Sequence, residues 1–318
     1  MLLTPAALVW NGVTWARRVF SNPYHSKLPV ICIGNFTAGG AGKTPAAIAV
    51  AQIALRASER PIFLTRGYGG AIKGPHLVDP SHDKAQTVGD EPLLLARVAL
   101  TIVSADRAEG ARLAERQDAS LIIMDDGFQN PGLAKSASLI VIDGSLGLGN
   151  EHVIPAGPLR ANLGFQLAQA DGIILVGEGN ANERIHALAH EASLPILSAR
   201  IVPQSDCAWL RNKPLVAFAG IGNPDKFFRM VESLDGELIA RAPYRDHHPY
   251  TGQDALKLLE LARRHGAQLV TTEKDLVRIE GEGELKKLKN ATRALPVSLQ
   301  FKNMGKVKQI LTQILKSA

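Results

Sequence analysis

The run Gly34-Asn35-Phe36-Thr37-Ala38-Gly39-Gly40-Ala41-Gly42-Lys43-Thr44 carries the residue types best suited to chemistry in this 318-residue chain. Glycines let successive backbone N–H groups curl around phosphate oxygens, Lys43 offers a point charge to the outer phosphates, and the Thr44 hydroxyl can ligate Mg²⁺. The candidate nucleotide cradle is therefore Thr37, Ala38, Gly39, Gly40, Ala41, Gly42, Lys43 and Thr44. The pattern is a variant, because Thr37 stands where the standard loop has a glycine five residues before Gly42. The plain alternative is a glycine-rich turn with a chance Lys-Thr. A phosphate loop also needs an acid at the end of a neighbouring strand to hold the metal, and LIIMDDGFQ (121–129) supplies Asp125 and Asp126. Adjacent side chains diverge where a strand enters its turn, so one carboxylate serves the metal and the other a water, a base or a backbone cap. An Asp-Gly turn without metal is the alternative there.

Two further groups are ambiguous from their residues. GDEP (89–92) opens a helical pattern, and Asp90 reads from composition as an ordinary N-cap. DHHPY (246–250) fits a turn, a metal site or a general-base assembly. No third His or Cys ligand stands at suitable spacing, which makes zinc the weakest of these. Gly69-Gly70 and the Gly147/Gly149 pair read as turns.

These residues must be positioned by an alternation of short apolar runs and helical patterns, the signature of a doubly wound parallel sheet. Strands are predicted at 29–34, 61–65, 100–103, 121–124, 139–142 and 173–176, with a helix from 43 to 55 directly after the glycine-rich turn. Extended pieces at 198–203 and 297–301 are expected to bridge two lobes. Between them the pattern predicts a second α/β set, with strands at 215–219 and 268–271 and helices at 225–233 and 253–264. Residues 306–315 form an amphipathic helix expected to return to the first lobe. The expected units are 1–205 together with 302–318, and 206–301.

With 46% hydrophobic and 21% charged residues the chain is globular, which excludes a disordered or fibrous protein. Its two cysteines, Cys32 and Cys207, exclude a disulfide framework and point to a reducing compartment. The net charge of +6 favours anionic partners without naming one. No apolar stretch is long enough for a transmembrane helix. Residues 1–20 nevertheless read as an apolar helix, with Leu2, Ala6, Val9, Val13 and Phe20 on one face and Leu8, Trp15 and Val19 on another. Trp10 and Trp15 beside Arg17 and Arg18 suit a helix lying at a membrane interface; simple docking on the core is the alternative.

Taken together, GNFTAGGAGKTP (34–45), TRGYGG (65–70), GDEP (89–92), DDGFQ (125–129), PAGPLR (155–160), FAGIGNPDKFF (218–228), DHHPY (246–250) and TTEKD (271–275) resemble, in this order, the tetraacyldisaccharide 4′-kinase family. The resemblance implies a P-loop NTPase-like parallel-sheet domain joined by a β-strand hinge to a smaller α/β lobe. It implies ATP and Mg²⁺ as cofactors, and transfer of the γ-phosphoryl group to the 4′-hydroxyl of an acylated glucosamine disaccharide 1-phosphate, forming lipid IVA in lipid A biosynthesis. Partners would be that lipid and the cytoplasmic face of the bacterial inner membrane, with no nucleic acid and no obligate protein partner. By motif, Lys43, Arg160, Asp90 and His247 take catalytic places, Asp90 as the base and His247 as its partner. Thr44, Asp125, Asp126 and Gln129 take the metal side. The family usually has His after DDGFQ, where this chain has Asn130, which exchanges hydrogen bonds but carries no protonic charge. Two rivals are a nucleotide-driven membrane switch or partitioning ATPase, and a soluble small-molecule kinase. Against the first, Ala38 stands where a signature lysine belongs, and TTEKD lacks the guanine-reading [NT]KxD spacing.

Overall fold

The structure is a computed structural model that describes residues 3–40, 42–204 and 206–317. Its strands are β1 (Val30–Gly34), β2 (Pro61–Thr65), β3 (His76–Leu77), β4 (Thr101–Val103), β5 (Leu121–Asp125), β6 (Ala137–Asp143), β7 (Gly172–Val176), β8 (Ile196–Pro203), β9 (Pro214–Ala219), β10 (Glu237–Pro243), β11 (Gln268–Thr272), β12 (Thr292–Leu295) and β13 (Val297–Phe301). The helices are α1 (Thr4–Val19), α2 (Lys43–Arg56), α3 (Ala85–Val88), α4 (Asp90–Ala96), α5 (Arg107–Ala114), α6 (Leu163–Leu167), α7 (Asn182–Glu191), α8 (Pro224–Ser233), α9 (Gly252–His265), α10 (Glu273–Arg278), α11 (Glu284–Ala291) and α12 (Met304–Ser317).

Among the described residues the strands form two sheets, one of nine strands in the order β13-β8-β7-β6-β1-β5-β2-β4-β3 and one of four in the order β10-β9-β11-β12. The interior of the large sheet is parallel, and its strands β1, β2, β5 and β7 are buried along their whole length. Burial on both faces is why they read in sequence as unbroken apolar runs. One face packs α2 and α12 over Ile31, Ile33, Ile123 and Val141, with Val307 and Leu311 of α12 buried there. The opposite face gathers Cys32, Ile62, Ile122 and Ile140 under Ala111, Ile185 and Leu188. Both cysteines are buried, and neither forms a disulfide.

The chain passes from β1 to β2, back to β5 between them, and then across β1 to β6. The crevice beyond the carboxyl ends of β1, β5 and β6 is therefore the topological switch point, where open α/β sheets bind ligands. The segments expected to bridge two lobes, 198–203 and 297–301, pair with each other antiparallel at the sheet edge, with β8 also parallel to β7. The small sheet is wholly parallel, with Phe227 and Phe228 of α8 on one face and Leu258 of α9 with Leu288 of α11 on the other. Its strands β10 and β12 went unpredicted. Strand β10 lies at the edge and alternates exposed with half-buried residues, so it never forms an apolar run.

Helix α1 lies against the large lobe along one edge. The Trp10 indole N–H donates to the Arg160 carbonyl at 3.0 Å, Asn11 Oδ1 accepts from the Asn162 N–H at 2.9 Å, and Arg18 donates to the Phe128 carbonyl at 3.1 Å. The rest of its apolar surface faces outward, with Leu8, Val9, Trp15 and Val19 more than half exposed or close to it and Phe20 at 82%. No helix among the described residues is long and apolar enough to cross a membrane.

Candidate active site

The glycine-rich run follows β1 and ends in α2, whose N-cap Gly42 has φ 86°, a left-handed backbone that favours glycine. Ala38, Gly39 and Gly40 are exposed at the mouth, whereas Asn35 is buried and donates from Nδ2 to the Gly39 carbonyl at 3.1 Å. Ala41 lies outside the described residues. The loop is backed by the PAGPLR segment: the Ala38 N–H donates to the Pro158 carbonyl at 2.8 Å and the Arg160 N–H to the Phe36 carbonyl at 2.8 Å.

At the loop's end Thr44 is buried and its hydroxyl donates to Asp125 Oδ2 at 3.0 Å. The other oxygen, Asp125 Oδ1, is buried with no hydrogen-bond partner. Burial, Glu91 and Asp126 together push the Asp125 carboxyl up to about 7, outweighing the nearby charges of Lys43 and Lys274. An orphaned oxygen on such a carboxylate, beside a hydroxyl, is a hard-oxygen donor set suited to Mg²⁺. Asp126 points elsewhere, at φ 53°, into the left-handed region that Asp tolerates. It lies 3.7 Å from Lys43 Nζ and 3.3 Å from Arg160 Nη1. Arg160 also donates to the Thr37 carbonyl at 3.2 Å and to Gln129 Oε1 at 3.2 Å. Gln129 has both ends of its amide committed, since Nε2 donates to the Asn35 carbonyl at 2.8 Å and to Gln166 Oε1 at 3.3 Å.

Asp90 is the first residue of α4, and the N-cap is Gly89 at φ 97°. Its side chain caps nothing: it is 3% exposed, with Oδ1 3.4 Å from His247 Nδ1 and Oδ2 3.0 Å from Arg278 Nε. His247 sits in the turn after β10 at φ 54°, a left-handed conformation costing a non-glycine residue about 1 kcal/mol or more, and its ring lies 5.0 Å from that of the exposed Tyr68. The Asp90 contact holds the His247 pKa above its ordinary value, with burial opposing. For Asp90, burial alone would raise the pKa, but His247, Lys274 and Arg278 outweigh it and hold the carboxyl below the usual range. The next residues of the same motif serve the small lobe. His248 pairs with Asp254 at 3.1 Å, and Tyr250 donates to Asp275 at 2.7 Å. Among the described residues there is no group of three or more His, Cys, Asp or Glu side chains that could hold a metal ion.

Sequence patterning did not reveal α10, whose Lys274 reaches Glu91 at 2.8 Å across the lobes. On the other flank Lys226 of α8 pairs with Asp143 at the end of β6. Nor did it signal the cavity of about 560 Å³ between α1 and the phosphate loop. Trp10, Val13, Ile154 and Phe165 give that cavity apolar walls, and Arg17, Arg18, Arg66, Arg107 and Arg160 give it charge. Arg107 is 3% exposed with Nε unpartnered, and burial and Arg66 lower its pKa to about 10.

A parallel sheet whose switch point carries a glycine-rich loop, a lysine and a hydroxyl at its end, and an acid-ended neighbouring strand defines a P-loop NTPase-like nucleotide-binding protein. A crystal structure of LpxK from Aquifex aeolicus in complex with ATP shares this fold, with a TM-score of 0.78 at 22% identity over 99% of this chain and 100% of that one. The chain belongs to the tetraacyldisaccharide-1-P 4′-kinase family, which it matches over residues 1–316. A tetraacyldisaccharide 4′-kinase of Methylorubrum extorquens is 47% identical over 310 residues, covering 98% of this chain and 93% of that protein. Another, from a Bradyrhizobium species, is 44% identical over 319 residues, covering 100% and 92%.

Proposed function

We propose that this kinase transfers the γ-phosphoryl group of ATP to the 4′-hydroxyl of a tetraacyldisaccharide 1-phosphate, yielding ADP and the bisphosphorylated lipid IVA. The observation that carries the reading is a cavity both basic and apolar, running from the phosphate loop to an exposed apolar helix. An acceptor with sugar phosphate at one end and acyl chains at the other matches both characters.

The loop from Thr37 to Thr44 would bind the triphosphate, with Lys43 at the outer phosphates. Mg²⁺ would be held by Thr44 and Asp125, with Asp126 on the same turn, and would neutralise charge on the nucleotide. Arg160, joined to the loop through Thr37 and to Asp126, would follow charge onto the equatorial oxygens; Gln129 holds its guanidinium. The acceptor hydroxyl is a poor nucleophile. As its oxygen bonds to the γ-phosphorus and the bond to the β–γ bridging oxygen breaks, its proton passes to Asp90, with His247 holding that carboxylate. The units 1–205 with 302–318, and 206–301, would act as two bodies whose closure brings His247 to Asp90.

The exposed face of α1 supports a seat on the cytoplasmic surface of the inner membrane, where the acyl chains stay embedded. Purified protein with ATP, Mg²⁺ and a tetraacylated disaccharide 1-phosphate is expected to give the bisphosphorylated product. ATP hydrolysis indifferent to the acceptor would favour a nucleotide-driven switch instead.

A further inference from the structure

We infer that Arg278, at the end of α10, is the positioning residue for the proton-accepting pair, setting Asp90 and His247 with one guanidinium from the small lobe. The inference rests on the reading of Asp90 as base. Arg278 is buried, and its Nε stands 3.0 Å from Asp90 Oδ2. That contact is one of charge more than of a directed hydrogen bond, since Asp90 Oδ2 and Arg278 Nη2 are both buried without a hydrogen-bond partner. Held from the Oδ2 side, Asp90 presents Oδ1 toward His247. The same guanidinium donates from Nη1 to the Gly220 carbonyl at 2.7 Å, and that carbonyl also accepts the His247 N–H at 3.0 Å. Arg278 thus fixes the backbone that carries His247 as well as the carboxylate it faces.

Two contacts fix Arg278 in turn. Its Nε donates to the Lys274 carbonyl at 3.2 Å, and Nη1 lies 3.4 Å from Asp275 Oδ1. Asp275 is fully buried and saturated, accepting the Gly220 N–H at 2.8 Å, the Tyr250 hydroxyl at 2.7 Å and the Thr272 hydroxyl at 2.6 Å. One helical turn before Arg278, Lys274 meets Glu91 at 2.8 Å, so two cations four residues apart on α10 face two consecutive acids on α4. The register of α10 on α4 therefore sets the rotamer of the base. Charged groups facing Asp90 are Arg278 and Lys274 from α10, His247 from the turn after β10 with Asp246 behind it, and Glu91 on its own helix. Without Arg278 a carboxyl this buried loses a cation that keeps it ionised.

The test is kcat against pH for the full-length enzyme with ATP, Mg²⁺ and a tetraacyldisaccharide 1-phosphate, comparing wild type, Arg278→Gln, Arg278→Lys and Asp90→Ala. Arg278→Gln is expected to lower kcat at neutral pH by about tenfold or more, move the acid limb to higher pH, and leave the KM for ATP within about twofold. Arg278→Lys should return the limb toward its original position while recovering only part of kcat, because lysine restores charge without the fork that also reaches Gly220. A loss equal at every pH, Arg278→Lys no better than Arg278→Gln, or a KM for ATP rising with the loss would overturn the inference. So would failure of both variants to melt cooperatively, which would make Arg278 a brace of the small lobe. Near-normal turnover in Asp90→Ala would instead remove the reading of Asp90 as base.

Discussion

The glycine-rich loop and the side proposed to accept the proton are built in opposite ways. The phosphate loop is one contiguous stretch on one sheet, cushioned by PAGPLR and finished by the Thr44–Asp125 contact. The side proposed to accept the proton joins residues 90, 247 and 278 across two sheets, and what joins them is mostly charge at 3.0–3.4 Å. The first lies within one lobe. The second exists only when α10 rests on α4. Under the proposed closure of the two units, a kinase arranged this way would admit its nucleotide before assembling the proposed base.

The harshest way to break this division is at the loop. Lys43→Ala and Thr44→Ala are expected to lower kcat by about a hundredfold or more while the melting temperature moves only a few degrees, because both side chains serve ligand more than core. Loss of the folded state in either would make the loop structural and erase the contrast.

Next in size is the pair itself. Asp90→Ala should cost more than His247→Ala, about a hundredfold or more in kcat, and the double variant should resemble Asp90→Ala alone. Asp90→Asn should be nearly as poor as Asp90→Ala. Multiplying losses in the double, or full turnover in Asp90→Asn, would show two independent residues in place of a unit.

The exposed residues of α1 sharpen the comparison because their side chains touch neither side directly. Leu8→Ser, Val9→Ser and Phe20→Ser combined, which spare the docked edge at Trp10, Asn11 and Arg18, should weaken flotation with anionic liposomes about tenfold or more and leave ATP affinity unchanged. Unchanged flotation would return α1 to simple docking.

The smallest effect is on stability. His247 has its pKa raised by Asp90, so its contribution is fully present below the ordinary histidine value of about 6.5 and is lost as pH rises through the raised folded value. Asp90 is held low by His247 and the two α10 cations against burial, so its contribution is present above about pH 4 and is lost as pH falls through the lowered folded value. Wild type should therefore exceed His247→Gln by about 0.5–1 kcal/mol near pH 5.5, with the gap closing toward pH 8 in thermal melts. A gap constant with pH would mean that packing against Tyr68, not charge, is what His247 contributes.

The same contrast explains what could be read from the sequence. Strands β1, β2, β5 and β7 are buried on both faces and declare themselves as apolar runs, and the loop's chemistry is local, so its residues announce one another. Asp90 read as an N-cap because an acid in a first turn usually serves the helix; its real partners lie in the other lobe, beyond the reach of any local pattern. Resemblance supplied Asp90 and His247 but was silent on Arg278, which stands just outside TTEKD. Gln129 and Arg160 were legible as motif members, but their contact with each other depends on how two loops fold back on the sheet.

Arg160 belongs to two neighbourhoods at once. Its carbonyl accepts a hydrogen bond from the Trp10 indole N–H, and its guanidinium reaches the loop at Thr37 and the acid at Asp126. A single residue is thus the ruler between the outward helix and the phosphate cradle. With the Asn11–Asn162 and Arg18–Phe128 contacts, Arg160 ties the cradle to α1 directly. With α1 seated on a bilayer as proposed, a lipid whose tails stay at constant depth would meet the cradle at a height these contacts set.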